Sequence, residues 1–167
     1  MCEFFQLFNE VKLTDWLKIL AVLLAAAGLF FNAWQHRRAN NQSRTEHVAD
    51  VLWKIYDDKE LSEIYYMIEY HEFEYNQREF HGSEDERKLD KLITVFDVLA
   101  KQYFLGLVTI KDIELVSYEY LMIYQNDEVN KYFEFLDVWF ERRGIKSPPF
   151  AKFRRLGDKI TKMHFNG

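Results

Sequence analysis

One unbroken apolar stretch, WLKILAVLLAAAGLFFNAW at residues 16–34, limits most strongly what this chain can fold into. It is about 19 residues long and as a helix would measure roughly 28 Å, close to the ~30 Å hydrocarbon core of a bilayer. Its one charged residue, Lys18, lies near an edge, where a long side chain reaches the headgroups. Trp16 and Trp34 stand at the two ends, as in an interfacial aromatic belt. We therefore predict a transmembrane helix.

The alternatives for this stretch are a buried helix of a soluble protein and a cleaved signal peptide. An amphipathic soluble helix carries a stripe of several charges, which residues 16–34 lack. A secretory signal begins with a basic segment, whereas residues 1–15 are mainly acidic in charge. The basic residues follow the stretch instead, and the positive-inside rule then places the N-terminus outside and residues 35–167 in the cytoplasm. We expect a single-pass membrane protein. The basic residues are His36, Arg37, Arg38 and Arg44.

Beyond the span, the sequence predicts an all-α protein with one compact cytoplasmic helical domain. Few turn-forming residues are present, with two prolines and six glycines among 167 residues. Helical periodicity runs through residues 61–75 and 110–125 without a break. The predicted organisation is an amphipathic segment (1–15), the span (16–34), a basic juxtamembrane segment (35–45) and the helical domain (46–167). The predicted helix boundaries are a break at 57–60, N-caps at Ser83 and Thr109, a start at Asn126 or Asp127, stops at Gly106 and Gly144, and a last helix over 150–163.

The small and polar residues of the apolar stretch fall on successive a and d positions of a heptad register. In lipid, small residues permit close helix packing, and a buried asparagine can hydrogen-bond across an interface. We predict self-association, either as a tight dimer or as a ring such as a tetramer, in which this seam lines a narrow pore. A plain anchor with incidental alanines is the alternative. The seam comprises Lys18, Ala21, Ala25, Gly28, Asn32 and Gln35, and the pattern continues through Ala39, Gln42, Glu46 and Ala49, so we expect the helix to run on.

The N-terminal segment has its own apolar face. Phe4, Leu7, Phe8 and Val11 follow helical i, i+3, i+4, i+7 spacing. We expect an interfacial helix that lies on the outer leaflet or covers a pore entrance.

Charge is distributed unevenly along the predicted domain. Residues 46–90 carry a net charge of about −9, and residues 138–167 a net charge of about +6. The two faces either attract each other, within or between subunits, or the basic segment binds an anion. Basic residues interleaved with aromatic ones suit a nucleotide, a single-stranded oligonucleotide or anionic lipid headgroups. The candidate anion-binding residues are Arg142, Arg143, Lys146, Lys152, Arg154 and Arg155.

The sequence shows no pattern that indicates catalysis. It has no Gly-rich phosphate loop, no GxSxG elbow and no CxxC pair. The spacing of His71 and the later His81, with Glu69, Glu72 and Glu74 nearby, matches no metal motif. Asp85, Glu86 and Asp90 have the positions of first-turn charges on a solvated helix face and not of a catalytic pair. We therefore expect a protein that is not an enzyme, with no catalytic residue, no metal site and no cofactor.

Two stretches, IYYMIEYHEFEY (64–75) and LDKLITVFDVLAKQYFLGLV (89–108), resemble an uncharacterised family of small bacterial membrane proteins with one N-terminal span and a helical cytosolic domain. The layout is also similar to the membrane effectors of bacterial anti-phage systems of the Hailong type. There a nucleotidyltransferase makes a nucleic-acid-like messenger, and the effector oligomerises into a pore. This resemblance implies a protein of the bacterial inner membrane that forms an oligomeric pore and depolarises the membrane, with a nucleotidyltransferase encoded alongside as a partner. A non-conducting adaptor that tethers a cytoplasmic protein is the alternative.

Overall fold

The longest element is helix α1, Leu13–Asp57. The computed structural model describes residues 13–165, and the side chains of residues 15–163. The predicted interfacial helix lies almost wholly outside the described residues.

The chain divides into two compact units, with the boundary between Ser43 and Arg44, and we call residues 44–167 the body. In the first unit every side chain from Trp16 to Ser43 is exposed. The prediction that the helix continues past the apolar stretch is confirmed, because α1 has no break before Asp57.

The protein is all-α, as predicted, and its described residues include no strand. In the described part of the body, residues 44–165, residues 44–57 of α1 are followed by seven further α-helices. A 3₁₀ turn, Glu114–Val116, lies between the helices Ile110–Ile113 and Ser117–Tyr124. The helices are α2 (Lys59–Glu69), α3 (Gln77–Phe80), α4 (Glu84–Phe104), α5 (Ile110–Ile113), α6 (Ser117–Tyr124), α7 (Asp127–Arg142) and α8 (Ala151–Phe165).

Most helix boundaries coincide with the predicted caps. Ser83 Oγ accepts a hydrogen bond from the Glu86 N–H at 3.1 Å and begins α4. Thr109 and Asp112 form a reciprocal capping box at the start of α5. Asn126, rather than Asp127, caps α7. The predicted stops at Gly106 and Gly144 have φ of +74° and +70°, a conformation that glycine adopts without strain.

Two helices are shorter in the structure than the sequence predicts. Helix α2 ends at Glu69, because the chain reverses at His71 (φ 59°) and the Phe73 N–H donates to the Met67 carbonyl at 2.9 Å. The reversal places Phe73 in the core, where its ring contacts that of Phe80. The helix predicted over 110–125 is interrupted by the 3₁₀ turn.

The body is built around α4. Its buried residues recur at three- and four-residue spacing, from Leu89 through Phe96 to Ala100. Helices α2 and α8 both pack against α4, and α6 packs against α2 and α8. Phe96 meets Tyr120 of α6 edge to face at 5.2 Å, and Tyr120 stacks on Phe153 of α8 at 4.7 Å. The aromatic centre thus joins α4, α6 and α8.

Candidate functional site

The apolar part of α1 is the first candidate site. Among the described residues, α1 is the one helix long and apolar enough, by length and composition, to cross a membrane. None of its most apolar segment is buried in the structure, and side chains such as Leu23 and Phe30 are 61% and 76% exposed. A core helix of a soluble protein would be mostly covered by its own chain. The apolar surface of α1 therefore requires a cover from outside the described chain.

Polar groups lie beside the tryptophan at each end of this segment. The Arg38 guanidinium lies 5.9 Å from the ring centroid of Trp34. At the other end, Lys18 Nζ lies 2.9 Å from Asp15 Oδ1, on either side of Trp16 in the sequence. An exposed ion pair of this kind adds little stability. The ion pair instead gives Lys18, the single charge within the apolar stretch, a counter-charge at Asp15.

The predicted seam lies on this exposed helix, and all six of its residues are exposed. A Cβ atom built on Gly28 would meet no atom within 4 Å. The glycine is therefore not required by packing inside the described chain. The small surface at Gly28 is open to another helix, which is the environment that close helix packing in lipid requires.

The six predicted anion-binding residues do not form one site. Arg154 is engaged inside the body, because its guanidinium donates to both carboxylate oxygens of Asp137 at 2.7 and 2.6 Å. It also lies 5.2 Å from the ring centroid of Phe133. Such a bidentate pair fixes the geometry of the arginine. Arg154 therefore joins α8 to α7.

Three of the six residues lie at the end of α7 and in the segment that follows it. Arg142 and Lys146 are exposed. The Arg143 guanidinium stacks 3.5 Å from the ring centroid of Trp139, which is itself 36% exposed. A neighbouring groove of about 340 Å³ contains Lys146 together with the carboxylate of Glu141. This region combines an exposed ring and cations, but its charge is mixed.

The remaining two residues belong to a more uniform surface on α8, which we call the basic face of α8: Lys152, Arg155 and Lys159. Lys152 and Arg155 lie 5.4 and 4.7 Å from the ring centroid of Phe104 at the end of α4. Lys159 lies 4.9 Å from the ring centroid of Tyr103 and donates to its hydroxyl. Lys159 was not among the predicted residues, although its i+7 spacing from Lys152 was a signal for it.

A half-buried polar cluster that the sequence did not predict joins α4, α7 and the residues on either side of α3. His81 contacts Tyr75 Oη at 3.0 Å and Glu86 at 2.9 Å. Tyr132 of α7 donates to Glu86 at 3.3 Å and to Asp90 at 2.9 Å. Glu86 and Asp90, expected on a solvated face, therefore bind partners inside the body. The capping position of Glu86 was visible in the sequence, but its tyrosine partner was not.

This cluster perturbs both carboxylates, in opposite directions. Burial alone would raise the pKa of Glu86, but hydrogen bonds from the Gly82 N–H, His81 and Tyr132 hold that pKa below its ordinary value. Burial raises the pKa of Asp90 above its ordinary value, and the Tyr132 hydrogen bond only partly opposes this. Among the described residues, no group of three or more His, Cys, Asp or Glu side chains is arranged to hold a metal ion.

Comparisons of the chain with models of protein families, with curated proteins and with solved structures find no match. The family resemblance therefore stays a prediction from the sequence. The features of the molecule that bear on its function are the exposed apolar helix and the cations and aromatic rings of the body.

Proposed function

We propose that this chain is a single-span, homo-oligomeric membrane effector that self-associates along the seam of α1. The observation that carries the proposal is the uncovered apolar segment of α1, with a line of small and polar side chains along one side. Lipid covers the leucines and phenylalanines, while the seam is better covered by another copy of itself. In this arrangement the N-terminus is outside and the body is in the cytoplasm.

In a ring of about four or more copies, the seam lines a narrow pore. Asn32 and Gln35 then lie at its cytoplasmic mouth and Lys18 near its outer mouth. Opening of the pore dissipates the membrane potential and arrests growth, as in the anti-phage effectors that the layout resembles. A tight dimer uses the same residues without a pore.

The body receives the signal in this proposal. A nucleotide or single-stranded oligonucleotide, made by a nucleotidyltransferase encoded alongside, contacts the exposed end of α7. Arg142 and Lys146 supply charge for phosphates, and Trp139 with Arg143 supplies a stacking surface. Arg154 supports this region through Asp137 and is not itself a ligand contact.

Planar-bilayer recording on the purified full-length protein tests the pore. Asn32→Leu should change the conductance, because it replaces a pore-lining amide with an apolar group. Phe30→Leu is the matched control, since Phe30 lies two residues away and on the opposite side of the helix. A protein that oligomerises but never conducts, with or without oligonucleotides, would refute the pore.

A second candidate function, a non-conducting adaptor, is favoured by one feature of the body. Residues 47–54 of α1 and helix α4 form an open groove of about 310 Å³, lined in part by Val51, Val95 and Val98. An apolar groove of this kind accommodates a helix from a partner protein. The bilayer recording separates the two functions, because the adaptor forms complexes without current.

A further inference from the structure

The turn after α4 exposes two leucines. Leu105 is 74% exposed and Leu107 is 59% exposed. The turn is held by backbone hydrogen bonds from the Gly106 N–H to Tyr103 and from the Leu107 N–H to Gln102, each 3.0 Å long. In this type of helix ending the residue after the glycine usually packs back on the helix. Leu107 instead stays in the open, on a turn whose backbone is fixed.

This turn lies at the same edge of the body as Arg44, the first residue of the body. His47 Nε2 lies 2.9 Å from Gln102 Oε1, next to the end of α4. On the other side of the turn, Arg44 Nε lies 3.4 Å from Asp112 Oδ2. The two leucines are therefore close to the point where the chain leaves the body towards the apolar stretch.

Cations border the leucines. The basic face of α8 covers Tyr103 and Phe104, the residues that immediately precede the turn. Three of the carboxylates nearby have partners within the body: Asp97 pairs with Lys101, Asp112 with Arg44, and Asp158 accepts from the Tyr124 hydroxyl. The surface thus combines exposed apolar side chains with a row of cations.

We propose that this surface, made of Leu105, Leu107 and the basic face of α8, rests on the anionic phospholipid headgroups of the leaflet at which α1 leaves the membrane. The leucines enter the interfacial region, and the cations contact the phosphates. Each lysine or arginine near an anionic leaflet strengthens such an attachment about fivefold, and three strengthen it roughly 100-fold. This inference rests on the proposed insertion of α1.

Chain length supports a membrane partner. About ten residues separate Trp34 from Arg44, and even a fully extended segment of that length covers no more than about 35 Å. Arg44, at the edge of the body that carries the leucines, is therefore tethered within this distance of Trp34. A free nucleic acid fits the two exposed leucines less well than the interfacial region of a bilayer does, because aliphatic side chains offer no ring for base stacking.

Fluorescence of the full-length protein in lipid nanodiscs tests the proposal. The protein carries Cys2→Ser and Leu107→Cys, with the environment-sensitive dye NBD on the new cysteine. We expect a blue shift of the emission in discs of phosphatidylcholine with phosphatidylglycerol, reversed by high salt, and none in discs of phosphatidylcholine alone. The same dye at Arg87→Cys, at the opposite end of α4, should show no shift in either disc.

Two variants identify the groups involved. Lys152→Glu/Arg155→Glu/Lys159→Glu should abolish the shift, whereas Arg142→Glu/Arg143→Glu should leave it intact. Leu105→Ser, which keeps every charge, should reduce the shift without changing the circular dichroism melting curve, and so it separates lost contact from lost folding. A different result is a protein that resists alkaline extraction while the emission at residue 107 does not respond to phosphatidylglycerol. That result would overturn this inference and leave the proposed function standing.

Two further outcomes also count against the proposal. A chain that alkaline extraction removes from the discs is not inserted, so the proposed function and this inference then fail together. Anisotropy of a fluorescent oligothymidylate provides the other outcome. If the triple variant loses oligonucleotide binding and the dye never responds to lipid charge, the basic face of α8 binds nucleic acid instead.

Discussion

At the residue scale, two helical glycines have opposite surroundings. A Cβ atom at Gly157 of α8 would lie 2.5 Å from Cγ and 2.7 Å from Cε2 of Tyr124, far inside van der Waals contact. The ring cannot move freely, because the Tyr124 hydroxyl donates to Asp158 Oδ1 at 2.6 Å. At Gly28 of α1 the same atom would meet nothing within 4 Å. Glycine is thus required at 157 by packing of α6 on α8, and at 28 by nothing within the described chain.

We predict that Gly157→Ala lowers the free energy of unfolding of the body by about 1–3 kcal/mol, because the added methyl group overpacks the α6–α8 contact. Urea unfolding followed by near-ultraviolet circular dichroism measures the change. Gly28→Ala is the control and should leave this transition in place, while weakening self-association if the seam packs closely. An unchanged midpoint for Gly157→Ala would contradict the predicted clash.

The neighbouring residues Arg154 and Arg155 should also behave differently. In a double-mutant cycle, Arg154→Ala and Asp137→Ala should couple by about 1 kcal/mol, the upper range for a pair that remains partly exposed. Arg155→Ala should show no coupling with Asp137→Ala, because Arg155 lies over Phe104 instead. Equal coupling for both arginines would show that the bidentate pair does not form.

At the element scale, the position of α8 depends on one carboxylate of α4. Asp97 is 6% exposed, and its Oδ1 accepts from the Phe153 N–H in the first turn of α8 at 2.9 Å. Its Oδ2 lies 2.7 Å from Lys101 Nζ. A helix N-terminus has unpaired N–H groups and a partial positive charge, so a carboxylate there is favourable. The Tyr120 hydroxyl completes the junction by donating to the Phe153 carbonyl at 2.7 Å.

We predict that Asp97→Ala lowers the free energy of unfolding by about 1–3 kcal/mol, because it leaves the buried Phe153 N–H without an acceptor. Asp97→Asn keeps an acceptor oxygen and should lose less. Lys101→Ala is the control for the exposed ion pair and should lose about 1 kcal/mol at most. Equal losses for Asp97→Ala and Lys101→Ala would show that the ion pair, and not the helix cap, is the important contact.

At the scale of the whole molecule, the polar cluster makes the stability of the body depend on pH through two opposing carboxylates. Because the pKa of Glu86 is lowered in the folded body, its carboxylate contributes stability that is fully present above pH 4.5, the ordinary pKa of the group. This stability is lost as pH falls through the folded-state pKa. The raised pKa of Asp90 has the opposite effect on how stability depends on pH. Its contribution is present below the ordinary value of 3.8 and is lost as pH rises through the folded-state pKa.

We therefore predict opposite effects for two isosteric variants. Glu86→Gln should destabilise the body at pH 7, and the deficit should shrink as pH falls below 4.5. Asp90→Asn should stabilise the body at pH 7, and the gain should disappear below 3.8. Urea unfolding at a series of pH values measures both. Effects of the same sign at pH 7 would contradict the assignment of the two pKa shifts.

The sequence by itself determined the features that depend on local chemistry. The apolar stretch, the all-α fold and the caps at Ser83, Thr109 and Asn126 follow from hydrophobicity, periodicity and hydrogen bonds within one turn. Such signals are complete within a few residues of the chain. The structure accordingly confirms an exposed apolar helix and the start of each capped helix.

Only the tertiary structure decided which of the charged residues have partners. Arg154 and Arg155 are adjacent in a basic segment, yet one binds Asp137 and the other lies over Phe104. Glu86 had the signature of an exposed first-turn charge, but Tyr132 reaches it from 46 residues away. The end of α2 at Glu69 likewise depends on a place for Phe73 in the core. The physical reason is the same in each case. Contacts between distant segments form only after packing brings the segments together, so the local sequence pattern does not indicate these contacts.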